Sequence, residues 1–338
     1  MVQLSTVKSS NALIASSLPP KLVAVFVGAT SGIGETSLKQ FAKHACQPRI
    51  YFVGRSQQAG DRIAKECKSL NPEGEYIFVK ADVSLLNNVD EVCEDLKKKE
   101  SHINVLFQSQ GTLDLTSETS ENLNLLLALS YYSRMRFIIN LLPLVRQASS
   151  LRRVVTVMAG TKEGPIDPND VAGKKVGRLS ARGHLCSMMT LCMETIAETV
   201  PEVSFIHNYP GAVDTPLWTM KGVLKVIVRG VLAALGPFIF VDIVETGERH
   251  LFLATSSKYP SKKSEDMLNG VPLVDGIGTA RGTDGQTGSG VYTVDSTGES
   301  GNRKVQKLLA GLREKGIKEK VWQHTQSEFK RITGNERS

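Results

Sequence analysis

The sequence predicts an α/β fold in which a doubly wound parallel sheet is covered by helices on both faces. Three observations carry this reading. Short, continuous apolar runs recur along the chain, stretches with helical spacing separate them, and a glycine-rich turn follows the first run. An apolar run bounded by turn residues is what a strand buried on both faces looks like. Strand and helix alternating at this rhythm imply right-handed crossovers between parallel strands.

The elements follow in order. Residues 1–20 are rich in Ser and end in Pro19-Pro20, which predicts an N-terminal arm outside the core. Residues 22–27 form the first apolar run, and residues 35–45, after the glycine turn, have helical spacing. Further strands are expected at 49–53, 76–79, 103–107, 154–158 and 203–207. The helices between and after them are expected at 57–70, 87–100, 120–147, 179–199 and 242–254, with a last strand at 290–294. Residues 275–302, rich in Gly, Ser and Thr, predict a loop. Residues 303–331 have a helical pattern with an excess of Lys and Arg. The organisation expected is an arm (1–20), one α/β domain (21–300) and a C-terminal helical tail (301–338).

Composition narrows the class. With 41% hydrophobic and 22% charged residues, the 338-residue chain is ordinary globular protein with ample length for a core. A net charge of +7 favours anionic ligands without naming one. Cys46, Cys67, Cys93, Cys186 and Cys192 are scattered and have no metal-ligand spacing, so no metal is expected. That usage and the lack of a secretory pattern at the N-terminus predict a reduced, cytoplasmic protein. The basic tail lacks interleaved aromatics, so nucleic acid is not an expected partner.

The first motif is Gly28-Ala-Thr-Ser31-Gly32-Ile33-Gly34, between an expected strand and an expected helix. A dinucleotide needs its pyrophosphate against a helix N-terminus, where unpaired N–H groups and the helix dipole favour negative charge. Glycines let the backbone approach the phosphates closely. In this context the motif predicts a Rossmann-type dinucleotide site. The second strand ends in Gly54-Arg55-Ser56. NAD sites usually place a carboxylate there, which would repel a 2′-phosphate, whereas the Arg55 guanidinium pairs with one. Ser31 adds a hydroxyl. The cofactor expected is NADP.

Here the chain resembles the short-chain dehydrogenase/reductase family, in which the GxxxGxG spacing of Gly28, Gly32 and Gly34 is shared. Asp82-Val83 looks like the family's adenine-contacting Asp and its neighbour. The stretch from Asn104 to Gly111 resembles the family's NNAG segment, with Gly111 kept. Pro210-Gly211-Ala-Val213-Asp-Thr215 is similar to the Pro-Gly turn beside nicotinamide. The resemblance covers residues 21–255, and phrases around Tyr131 and Lys162 resemble a divergent filamentous-fungal branch tied to secondary metabolism.

The resemblance implies a catalytic Asn-Ser-Tyr-Lys tetrad, and the matching positions do not supply it. Counting back from Thr190 puts the Tyr at Leu179 and the Lys at Gly183. The Ser falls at Ala159 and the Asn at Ser130 or Tyr131. A shift of one register offers only Ser180 and His184. Arg134, Tyr131 and Asp167 are the catalytic candidates: the first two lie on the long helix and the third follows the fifth strand. Arg136, Lys162, Tyr209 and His184 are other polar groups within reach of the same region; solvated helix charges compete as the reading of Arg134 and Arg136, a turn cap before Pro168 as that of Asp167, and a satisfied core histidine as that of His184. Some fungal reductase-like proteins that the chain resembles use an Asp and an Arg beside NADPH.

Residues 216–241 are expected to form an apolar lid over the substrate. Within them 223–241 approaches the length of a spanning helix but carries Lys225, Arg229 and Pro237. The expected function is NADP(H)-dependent reduction of a carbonyl or related unsaturated bond in a small apolar metabolite of fungal secondary metabolism. The alternatives are a non-redox cyclase or isomerase that holds NADP, and a catalytically silent nucleotide-binding protein. Peripheral membrane contact through 223–241 and homo-oligomer formation are also compatible with the sequence.

Overall fold

The computed structural model describes residues 1–173, 175–215, 240–263, 269–274 and 276–334. Its centre is a seven-stranded parallel sheet of order β3-β2-β1-β4-β5-β6-β7. The strands are β1 (Val23–Val27), β2 (Arg49–Gly54), β3 (Glu75–Lys80), β4 (Val105–Gln108), β5 (Arg153–Val157), β6 (Ser204–Asn208) and β7 (Val291–Val294). Strands β1, β4, β5, β6 and β7 are buried at every residue. That is why β1 and the middles of the others read as continuous apolar stretches rather than as alternating ones. The order reverses between β1 and β4, and α/β sheets bind ligands beyond the strand ends at such a switch point.

Helices α3 (Gly32–His44), α4 (Gln57–Leu70) and α8 (Ile243–Thr255) cover one face. Helices α5 (Leu86–Lys99), α6 (Leu125–Gln147) and α7 (Arg178–Thr199) cover the other. Two apolar cores result, one on each side of the sheet. Helix α6 is long and apolar enough to cross a membrane by composition, but most of it is buried in the protein. Two of its polar residues are bonded inside the protein: Arg136 donates to Asp90 at 2.6 and 2.7 Å, and Asn140 donates to Asp90 at 2.7 Å. A π-helical turn at Ala128–Tyr132 interrupts it.

The expectation of an N-terminal arm outside the core is corrected. Residues Leu4–Ala12 and Ile14–Ser17 form helices α1 and α2, and α1 packs on α8. Val2, Val7, Ile14 and Leu18 are buried in the core on that face. Asn11 donates to the Glu248 carboxylate at 2.7 Å and to the Glu248 carbonyl at 2.9 Å, which fixes the helix in place. The tail forms α9 (Arg303–Glu314) and α10 (Ile317–Thr333), separated at Gly316, whose φ is +66°. Val305, Leu309, Leu312, Ile317, Val321 and Phe329 close the opposite core. Of the expected lid, only Phe240 and Val241 are described; residues 216–239, and with them most of 223–241, lie outside the described residues.

Candidate functional site

A cleft of about 870 Å³ runs along the C-terminal ends of the strands. Its size is that of a site for a cofactor and a small molecule. One end is built by the β1–α3 turn. Gly28 has φ +77°, and a Cβ there would stand 2.5 Å from the Gln110 nitrogen. A Cβ at Gly34 would stand 2.6 Å from the Gly28 oxygen. The glycines are required because the turn lies directly against the chain that leaves β4. The N-cap Ser31 makes no side-chain capping bond, so its hydroxyl and the N–H groups at the start of α3 face the cleft.

The sequence-expected cofactor residues mostly converge here. Gly28, Ser31, Gly32, Ile33 and Gly34 line the cleft, as do Arg55, Asp82, Val83, Gly111, Pro210 and Thr215. Arg55 is exposed and has no ion pair among the described residues. Asp82 Oδ1 accepts from the Ser84 nitrogen at 3.0 Å and from its hydroxyl at 2.8 Å, which orients the carboxyl at the end of β3. Two expectations are corrected. Gly211 turns towards Val241 and Ser296, and Val213 is buried and bridged to Val241. Neither is part of the cleft wall.

The catalytic candidates separate. Arg134 lines the cleft, while Tyr131 and Asp167 do not. Tyr131 is fully buried, and its hydroxyl lies 2.6 Å from Thr325 Oγ1 on α10. Burial first, and then Cys192, raises its pKa well above the usual range. Asp167 is exposed and accepts from the Asn169 nitrogen at 2.9 Å, a turn-capping role. Among the other polar groups, His184 is bonded to the Val171 carbonyl at 2.9 Å, and Arg136 is bound to Asp90. The Lys162 ammonium sits 5.0 Å from the centre of the Tyr209 ring.

Beneath the cleft lies a polar layer that the sequence reading missed. Gln108, Thr156, His207 and Thr293 stand in register across β4, β5, β6 and β7. Gln108 donates to the Arg134 carbonyl at 3.0 Å, and Arg134 Nη1 donates to Thr156 Oγ1 at 2.7 Å and to the Val157 carbonyl at 2.8 Å. Arg134 Nη2 donates to the Gln110 carbonyl. His207 Nε2 accepts from the Ala159 N–H at 3.3 Å, and Nδ1 lies 2.9 Å from Thr190 Oγ1. Since Thr190 donates its proton to Glu163 at 2.9 Å, His207 carries its proton on Nδ1. Thr293 also donates to Glu163, at 2.6 Å. Burial pushes the His207 pKa down to about 3, with the Arg134 charge adding to the effect. Burial raises Glu163 and lowers Arg134 to about 9.

The remaining wall is apolar: Leu113, Leu115, Leu126, Leu129 and Leu185, with Leu113 and Leu115 largely exposed at the rim. Arg182, on α7, is a second cation in that half among the described residues and was also missed.

The comparisons agree with this architecture. The family described as short chain dehydrogenase matches residues 22–168. Oxidoreductase AN1596 of Emericella nidulans is 42% identical, with 97% of this chain and 98% of that protein covered. Oxidoreductase andH of Emericella variicolor is 35% identical over 99% of both. The NmrA-like family domain-containing oxidoreductase notO of an Aspergillus species is 35% identical, covering 97% of this chain and 95% of its own. Among solved structures, L-sorbose reductase from Gluconobacter frateurii, complexed with NADPH and L-sorbose, superposes with a TM-score of 0.54 at 18% identity. That match covers 78% of this chain and 98% of that one, and it bears on the fold. With the glycine turn, the sheet order and these relatives together, the chain belongs to the short-chain dehydrogenase family and is an oxidoreductase of that type.

Proposed function

We propose that this chain is an NADP(H)-dependent reductase acting on a carbonyl or related unsaturated bond of a small, largely apolar metabolite in fungal secondary metabolism. The observation that carries the reading is the division of one cleft into two halves. One half has the glycine turn, Arg55 and Asp82; the other has a leucine wall around Arg134. The residues fit the cofactor: the start of α3 would take the pyrophosphate, Arg55 the 2′-phosphate, and Asp82 and Val83 the adenosine. Bound NADPH would supply the hydride. The leucine wall favours an apolar substrate body and excludes water from it.

In this reading the family tetrad is missing, and the local packing is consistent with that. Ala159 lines the cleft where a Ser is expected, and Ser130 does so where an Asn is expected. At Gly183, the expected Lys position, a Cβ would stand 3.0 Å from the Gly164 Cα, so the loop after β5 fills the space beside α7. Arg134 takes the role of stabilising the developing oxyanion through fixed charge, without giving up a proton. Arg134→Ala should lower turnover at least tenfold, about 1.4 kcal/mol of barrier. The test is NADPH oxidation with a panel of apolar ketones, aldehydes and enones. Conversion of the physiological metabolite without net NADPH loss would favour the cyclase or isomerase alternative and defeat the reductase reading.

A further inference from the structure

Arg134 carries a charge that its protein contacts do not balance. It is 2% exposed, and no carboxylate among the described residues lies within ion-pair distance of it. All its hydrogen-bond partners are neutral oxygens: Thr156 Oγ1 and the carbonyls of Val157 and Gln110. Its buried Nε has no protein partner. The neighbouring His207 is held neutral by burial and by Arg134 itself. A buried cation among neutral partners is unfavourable, and its field extends into the cleft with little local screening.

The position of the charge decides what it acts on. The turn at the end of β1 and the N-terminus of α3 mark the place for the cofactor's phosphates. Arg55 and Asp82, at the ends of β2 and β3, lie to one side and suit the adenosine half. The second half of a dinucleotide must then run over the ends of β4 and β5, where Gly111, Val157 and Ala159 line the cleft. Arg134 is tied to the backbone at those same two strand ends. The nicotinamide ring is a cation when oxidised and neutral when reduced, and the rest of the molecule has the same charge in both forms. A fixed positive charge beneath the ring therefore repels one form and spares the other, and a difference in affinity shifts the equilibrium between them.

We propose that Arg134 makes the cleft bind the reduced cofactor more tightly than the oxidised one, which biases the protein towards reduction and release of oxidised cofactor. This rests on the proposed cofactor site. The test measures dissociation constants for NADPH, NADP⁺ and 2′-phospho-ADP-ribose, which lacks the nicotinamide. NADPH should bind the wild type at least tenfold tighter than NADP⁺, about 1.4 kcal/mol. Arg134→Gln should bring the ratio below about threefold with 2′-phospho-ADP-ribose affinity unchanged. A wild-type ratio near one overturns the proposal without any variant, and so does a ratio that survives in Arg134→Gln. If none of the three ligands binds the wild type, the cofactor site itself is wrong and the proposal falls with it.

Discussion

Tyr131 and Arg134 stand less than one turn apart on α6, yet they serve different contacts, and one substitution separates them. Tyr131→Phe removes a hydroxyl 2.6 Å from Thr325 Oγ1. Thr325 already donates its one proton to the Val321 carbonyl at 2.8 Å. Tyr131 is therefore the donor, and phenylalanine leaves an unpaired acceptor lone pair but no orphaned donor. The loss is that of one ordinary buried hydrogen bond, about 0.5–1.5 kcal/mol. In a chain of this size that lowers Tm by no more than roughly 2–4 °C. NADPH affinity and turnover should stay within about twofold of wild type, because the phenol is fully buried away from the cleft and burial makes it a poor acid. Urea unfolding followed by far-ultraviolet circular dichroism gives the stability difference, and NADPH oxidation gives the rate. A tenfold fall in turnover with an unchanged unfolding midpoint would place the phenol in the chemistry and refute this geometry.

Other consequences can be checked independently. Arg55→Asp should reverse the preference for NADPH over NADH, since a carboxylate repels the 2′-phosphate and accepts from a ribose diol; equal wild-type affinity for both would refute the assignment. Asp167→Ala should leave turnover within about twofold, because the carboxylate caps an exposed turn, and a large loss would return it to the site. His207 contributes to acid stability with a definite sign. Its pKa falls from 6.5 to about 3 on folding, so the unfolded chain takes up the proton first. The contribution is full above pH 6.5 and is lost as pH falls towards 3, at about 1.4 kcal/mol per pH unit. His207→Gln should reduce the acid slope of unfolding free energy by that amount, while His250, lowered to about 4 by burial, keeps its own share.

The strands and the glycine turn were legible because their causes are local: burial on both faces fills the middle of a strand with apolar residues, and a close backbone approach demands glycine. Observed strand ends differ from expected ones by a residue or two, the usual uncertainty of fraying termini. At the N-terminus, Ser-rich composition masks a helical pattern that is present. Val7, Asn11, Ile14 and Leu18 recur at helical spacing, and all are buried. The catalytic candidates follow from residue chemistry, and helical phase separates them. Leu126, Leu129, Ser130 and Arg134 fall on the cleft side of α6, at spacings of three, four and eight. Tyr131 is one step off that face, turned towards α10, and the phase alone would have removed it.

The polar layer was illegible for a different reason. Gln108, Thr156, His207 and Thr293 each sit near the C-terminal end of a strand, and their sequence separations carry no signal. Only the parallel register aligns them, and register is set by packing across the whole sheet. Continued past β4, the same row becomes Val27, Val53 and Val79. The sheet edge is therefore apolar under the expected adenosine half and polar under the half that carries Arg134. Buried polar groups are unfavourable unless bonded, so a layer of them across four strands calls for a local reason. Here it anchors Arg134 through Thr156 and holds the Ala159 backbone through His207. Neither His207, pushed far down, nor Arg134, near 9, titrates around neutral pH. The layer thus presents the cleft with a fixed charge instead of a movable proton, which is what the oxyanion stabilisation proposed for Arg134 requires.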